Sequence, residues 1–523
     1  MAKATTKQVF KQYIPTQNLL LPPDLGELID KHHLVRIIND VVEKMDLSRI
    51  IESYQGGGTS AYHPCMMIKV LLYAYAVKIY TGRRIAKALR QDVTFMWLAA
   101  YNRPDFRTIN NFRSGILKDT IEELFKEMLD FLLTQGYIRF EHYFCDGSTF
   151  EADANRHKMV WKKNAKRYQA ATEQKCRELF KQIDQLNETE QLQYGNKDLE
   201  ELGADKQPVT KAQISAQTNK LEKVIEATTS KRLKRKAATL KKKLCLHQNQ
   251  IDKYERQQQI SESRSGYSVT DEDATAMKMK NGEVLPGYNV LIGSEDQFIT
   301  GYSVHQKNND GACFKDHLHQ FEQHGGHQPA AIIADSIFGT QENYELMEDK
   351  EIAAYVKFPL YHKEQSRKYV ENPFRKENFI YHEADDIYIC PYNKVLRFRY
   401  VKTDRSKNGY ISFNRLYECE NCQGCPFIKD CKGTSASNRT IKVNQALDHY
   451  KQQARNNLKS DEGNVLKRKR SIEVETCFGD IKKNQGFRRF HLRGKQKVKA
   501  EFGLIALAHN LRKIHIKNVQ SAT

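Results

Sequence analysis

Between Leu34 and Leu133 apolar positions recur at helical spacing, and Met66 to Tyr80 (MMIKVLLYAYAVKIY) is apolar nearly all round. Such a run predicts a helix buried on every side. Pro64 stands just before it, where a first helical turn tolerates proline. Thr81 can cap a following helix through Ile85 to Arg90, and another is predicted from Thr108 to Leu117. Short helices on tight turns, carrying Arg83, Arg84, Arg90, Arg107 and Arg113, predict a helix-turn-helix-like module, or equally a plain bundle with solvated arginines. At Tyr137 the pattern changes. Tyr137 to Phe144 is aromatic and β-branched without helical period, and reads as a strand running into Cys145-Asp146-Gly147-Ser148. Further strands are predicted at 288–293, 298–304, 330–334 and 353–358, with helices at 314–323 and 341–348. Strands followed by alternating helices and strands predict an α/β (α+β) fold with a mixed sheet.

Two insertions interrupt that sheet. Residues 156–262 are rich in Lys, Glu and Gln. Leu233, Leu240, Leu244 and Ile251 step by seven, four and seven, and Ile214, Leu221 and Ile225 extend the seam upstream. An antiparallel helical hairpin follows, with a loop near Asn187 to Gln207; a disordered charged arm is the alternative. Residues 364–443 hold a cysteine cluster. The predicted domains are therefore a helical domain at 1–136, an α/β domain from 137–155, 263–363 and 444–517, and the two insertions.

Composition narrows the partner. The chain has 523 residues, 84 Lys and Arg against 64 Asp and Glu, and a net charge of +20. An extended polyanion suits such a chain, because phosphate neutralisation releases counterions. No apolar run approaches the roughly 20 residues of a membrane span, and Met1 to Phe10 lacks the apolar core of a signal peptide. A cytoplasmic protein that binds nucleic acid and no membrane is expected. The six scattered cysteines (Cys65, Cys145, Cys176, Cys245, Cys313 and Cys477) read as reduced thiols.

Candidate chemistry begins with Asp146 and Asp335, each placed directly after a strand-like run. One such residue is commonly a cap; two on one sheet point to a divalent-metal site of the kind magnesium takes. Glu475 and Lys482 share a face of the predicted helix Arg470 to Lys483, an acid for metal and a cation for phosphate. Cys419, Cys422, Cys425 and Cys431 fall within thirteen residues, with Cys390 upstream. Zinc in thiolate coordination fits that spacing, and an iron–sulfur cluster needs a similar one. Arg488, Arg489, Arg493, Lys495, Lys497 and Lys499, interleaved with Phe487, Phe490 and His491, form a basic stripe for the DNA backbone. Arg83, Arg84, Arg107, Asn110 and Arg113 are candidates for reading base edges.

Six segments, in order, resemble the DDE transposases of bacterial insertion sequences, in the branch with a helical insertion and a cysteine cluster: AYHPCMMIKVLLYAY, FMWLAAYNRPDFRTINNFR, CDGSTFEADAN, SVTDEDATAMKMKNGEVLPGYNV, IIADSIFG and SIEVETCFGDIKKNQGFRRFHLRGKQKVKAEFGLIALAHNL. The resemblance implies an RNase H-like catalytic fold with Asp146, Asp335 and Glu475 as its metal-binding triad, holding two Mg²⁺ or Mn²⁺, and Lys482 on the DNA. It implies cleavage at terminal inverted repeats and strand transfer into target DNA by a homodimer in the bacterial nucleoid. A catalytically inactive DNA-binding derivative, and a nuclease without strand transfer, are the competing readings. The related tyrosine-arginine-glutamate-lysine signature has an arginine where Ser471 stands here; Arg470 is one position off. Asp153, Asp271, Asp273, Glu473 and Asp480 compete for the acidic roles.

Overall fold

The computed structural model describes residues 24–54, 61–194, 209–325, 327–406, 408–432 and 438–522. Met1 to Phe10 and most of the loop expected at Asn187 to Gln207 lie outside them. The chain divides into two compact units, Met1–Thr120 with Asn510–Thr523, and Ile121–His509.

The first unit is helical: α1 (Leu34–Glu43), α2 (Ser48–Glu52), α3 (Pro64–Ala76), α4 (Gly82–Gln91), α5 (Val93–Leu98) and α6 (Phe106–Ser114). α3 is buried on all sides, as its composition demands, and even Lys69 lies inside, bonded to Asn39 and paired with Glu43. His63 caps α3 ahead of Pro64, Asp92 caps α5 and Asp105 caps α6. Thr81 precedes α4 but its hydroxyl makes no cap bond. At Gly82, α4 meets α6 so closely that a Cβ would stand 2.5 Å from Asn110 Oδ1. α7 (Ile116–Thr134) carries the chain onward.

In the second unit the strands are β1 (His142–Glu151), β2 (Met159–Trp161), β3 (Gly266–Ser268), β4 (Thr275–Lys278), β5 (Val284–Glu295), β6 (Phe298–His305), β7 (Ala331–Ala334) and β8 (Ala353–Val356). The main sheet runs β4-β5-β1-β7-β8, with β6 also on β5. β6, β5 and β1 are antiparallel, while β1, β7 and β8 are parallel, so the sheet is mixed, as expected. One expectation needs correction. β1 does not end before Asp146; β5 is long enough to pair with it from Phe144↔Ser294 to Glu151↔Gly287. Only its parallel edge stops there, at Cys145↔Ala334.

Between β2 and β3 stand α8 (Lys162–Tyr194), α9 (Lys211–Ala227) and α10 (Lys231–Ser261). Of the predicted seam, Ile214, Leu221, Leu240, Leu244 and Ile251 lie in their core and Ile225 packs against it, while Leu233 is half-buried outside it. The downstream arm breaks at Thr228–Ser230, making three helices where a two-helix hairpin was expected. α11 (Phe314–Gly325) follows β6, and α12 (Gln341–Asp349) lies between β7 and β8. The cysteine-bearing insertion contains α13 (Arg367–Val370), α14 (Ile428–Lys432) and a separate sheet of β9 (Ile380–His382), β10 (Ile387–Ile389), β11 (Val395–Arg405), β12 (Ile411–Cys419) and β13 (Thr440–Val443). α15 (Gln445–Lys459) returns the chain. α16 (Asp461–Arg470) then continues through a π turn at Ser471–Glu475, the turn α17 (Thr476–Gly479) and a second π turn at Asp480–Asn484. The first π turn packs on β1 and β5. A loop leads into α18 (Lys495–Ala522).

Candidate active site

Asp146 and Asp335 each lie one residue past the last β1–β7 pair, so the fold sets them side by side. Asp335 heads a short 3-10 turn, Ser336–Phe338, but makes no side-chain cap bond. The capping role that commonly explains such a residue is therefore absent. Asp146 Oδ1 accepts from Gly147 N–H at 2.8 Å. Burial pushes its carboxyl up to about 6; the Gly147 N–H and Arg470 oppose this, while Asp310 and Asp335 add to it.

Glu475 reaches the same place from the helix. A cavity of about 740 Å³ is lined by Asp146, Ser148, Glu475, Lys482 and Arg488 among others; Asp335 does not line it. Arg470 Nη2 lies 3.7 Å from Glu475 Oε1. Five residues apart, these two would diverge on a regular α-helix. The π turn, with its i→i+5 bonding, holds one extra residue and turns them back together. Arg470, one position off the signature's arginine, is thereby brought to Glu475.

The competing acids are otherwise engaged. Asp153 pairs with Arg489 (3.0 Å) and Arg493 (2.9 Å). Asp271 accepts from Tyr288 Oη (2.8 Å), and Asp273 from Lys495 N–H (2.8 Å). Glu473 accepts from Gln297 N–H (2.6 Å), and Asp480 lies 2.9 Å from His509 Nδ1. Sequence reasoning missed a further acid, Asp310, which reads as a turn residue before α11. It presses on β1 at Gly147, where a Cβ would meet its Cγ at 2.5 Å, and Asn289 Nδ2 donates to it at 2.5 Å. Gly147 follows Asp146 in the strand, so Asp310 approaches from the opposite face.

Lys482, expected on DNA, is turned onto β1. Its ammonium donates to Ser148 Oγ (2.7 Å) and Thr149 C=O (2.6 Å) and sits 4.1 Å from the Phe150 ring centre. The basic stripe is likewise partly internal. Phe487 and Phe490 are buried against Phe150 and do not display themselves to a ligand. Arg488 Nε donates to Lys482 C=O, Arg489 and Arg493 hold Asp153, and Lys499 pairs with Glu122. Lys495 and Lys497 are exposed.

In the helical unit, Arg83, Arg84 and Arg107 are exposed, with Arg83 and Arg107 over the Phe106 ring. Arg113 corrects the sequence reading. It is 4% exposed, and its Nη1 donates to Tyr75 Oη (2.9 Å) and Tyr80 C=O (2.7 Å). Its Nη2 donates to Asn110 Oδ1 (3.2 Å). A guanidinium so placed ties α6 to α3 and does not reach a base edge, and it takes Asn110's carbonyl with it.

Cys419 and Cys422 are buried in the core of the insertion, and Cys390 packs against them. Cys431 lies near Cys390, Cys422 and Cys425. Arg439 N–H donates to Cys422 Sγ at 3.2 Å. Among the described residues, no three His, Cys, Asp or Glu side chains converge closely enough to hold an ion. By residue type alone, carboxylates are ligands of hard divalent cations and thiolates of softer ones.

Two family models match the chain: "Transposase DDE domain" over residues 389–515 and "Transposase domain (DUF772)" over residues 23–115. The first contains Glu475, Lys482 and the cysteine cluster; the second covers α1 to α6. No curated protein and no solved structure matches. Among the described residues, no helix is long and apolar enough to cross a membrane.

Proposed function

For a chain that its two family matches make a DDE transposase of insertion-sequence type, we propose that it binds the terminal inverted repeats of its element, cleaves the DNA there and transfers the freed strand into target DNA. The observation that carries this reading is the position of Asp146, Asp335 and Glu475. Asp146 and Asp335 each lie one residue past the last β1–β7 pair, Glu475 shares a cavity with Asp146, and Asp335 makes no side-chain cap bond. The presence of all three acids argues against a catalytically inactive derivative.

Asp146, Asp335 and Glu475 would hold two Mg²⁺ or Mn²⁺ ions. When bound, such ions would supply activation of a water or a 3′-hydroxyl and stabilisation of the leaving oxygen. Arg470 lies at Glu475 and near Asp146, where its charge would offset both carboxylates. Lys482 fixes the helix to β1 and so sets the distance between the strand acid and the helix acid. Cys419, Cys422, Cys425 and Cys431 would hold a structural zinc that ties down the insertion, with Cys390 as the competing ligand. Arg83, Arg84 and Arg107 would meet DNA from the N-terminal unit, and Lys495 and Arg488 from the catalytic one. The resemblance adds a homodimer that holds two ends together.

The test is cleavage of the element's end DNA with Mg²⁺. Asp146→Asn, Asp335→Asn and Glu475→Gln should each abolish it and leave end binding nearly intact, because shape is kept and only charge is lost. Asp153→Asn should still cleave. Near-normal cleavage by any one of the three would remove that residue from the triad.

A further inference from the structure

The resemblance assigns Lys482 to DNA, yet its ammonium is taken up inside the protein. Two of its three N–H donors go to Ser148 and Thr149, and the Phe150 ring lies against it. Burial, then the nearby Lys280 and Arg488, push its pKa down to about 7. Arg488, also on the cavity, has its Nε turned to Lys482 C=O at 3.2 Å. A DNA strand entering this cavity meets three carboxylates, Asp146, Glu151 and Glu475. It needs cations that are free to meet it.

Beside the outer nitrogens of Arg488, two such cations are present. Lys280, in the turn between β4 and β5, and Lys483, in the second π turn, line the same cavity. Both are exposed, and neither forms a hydrogen bond or ion pair with another described residue. They come from different elements, so a strand between them would be gripped from the turn and from the catalytic helix. We propose that Lys280 and Lys483 form a phosphodiester-binding site on the rim of the catalytic cavity, and that Lys482 is a positioning strut between the catalytic helix and β1. This rests on reading the cavity as the place where DNA is cut.

The experiment uses the full chain and a labelled DNA duplex of arbitrary sequence, without divalent ion, over a range of salt. Each phosphate contact contributes about 0.9 to the slope of log affinity against log salt. The Lys280→Ala/Lys483→Ala double variant should flatten that slope by about 1.8, with an unchanged melting temperature. Between about 50 and 200 mM salt its loss of affinity should then be about twelvefold smaller than the wild type's. The Lys280→Arg/Lys483→Arg variant should keep the slope. Lys482→Met should melt lower and keep the slope. A double alanine variant with the wild-type slope overturns the proposal. So does a Lys482→Met protein that melts normally and flattens the slope, which would return the contact to Lys482. The slope is read without catalysis, so it stands whether or not the wild type cleaves DNA.

Discussion

Replacing Asp146 by Asn should make the metal-free protein more stable while destroying its chemistry. The carboxyl is held at about 6 chiefly by burial, against 3.8 for an ordinary aspartate. At about 1.36 kcal/mol per pH unit, that gap is an upper bound of about 3 kcal/mol. The sign follows from the direction. A carboxyl raised in the folded state favours folding fully below pH 3.8 and loses that contribution as pH rises through about 6. Wild-type stability should therefore fall across that window, and the Asn variant should lack this part of the fall. Asn keeps an oxygen for the Gly147 N–H, so little else changes. The assay is thermal melting in chelator at several pH values between 4 and 8. The variant should match the wild type near pH 4 and melt a few degrees higher above pH 6. Mg²⁺ at about a thousand times its dissociation constant should reverse the order, because it adds about 4.1 kcal/mol to the protein that binds it. A variant less stable than wild type at pH 7.5 in chelator, or pH profiles that run parallel, would refute the electrostatic reasoning.

Gly147→Ala should abolish cleavage and lower the melting temperature, since its Cβ would strike the Asp310 carboxylate at 2.5 Å; normal cleavage would show that Asp310 moves aside freely. Arg113→Ala should destabilise the N-terminal helices by about 2–3 kcal/mol, the worth of buried hydrogen bonds to a charged group, whereas Arg84→Ala should leave melting unchanged and weaken DNA binding. Comparing circular dichroism melts with binding isotherms separates the two. The purified protein should carry about one zinc per chain by elemental analysis, lost in Cys419→Ser; a folded chain free of zinc and iron would sink that assignment.

Much of the architecture was legible along the chain. α3 announced itself by an apolar run with no polar face, and the insertion helices by the seven-and-four spacing of Leu240, Leu244 and Ile251. Short-range periodicity carries such elements because the burial of one face or of all faces is a local demand. Asp146 and Asp335 became candidates from their places after strand-like runs, and Glu475 from its helix and the family resemblance. What the chain alone could not separate was a free acid from an occupied one. Asp153 and Asp146 look alike seven residues apart; the difference is that Arg489 and Arg493, over three hundred residues away, close on Asp153. The same holds for the cations. Arg113 looks like a base reader and is a buried tie, Lys482 looks like a phosphate contact and is bonded to β1, and Lys280 drew no notice because a lone lysine in a turn carries no pattern. Sequence determined which segments become helix or strand and which residue types could do metal and phosphate chemistry, because periodicity and side-chain identity are local properties. Only the tertiary structure decided which of those groups are left unpaired, because a charge's partner is set by distance in space, and here the partners come from opposite ends of the chain or, for Arg470, from a π turn that no spacing rule foretells.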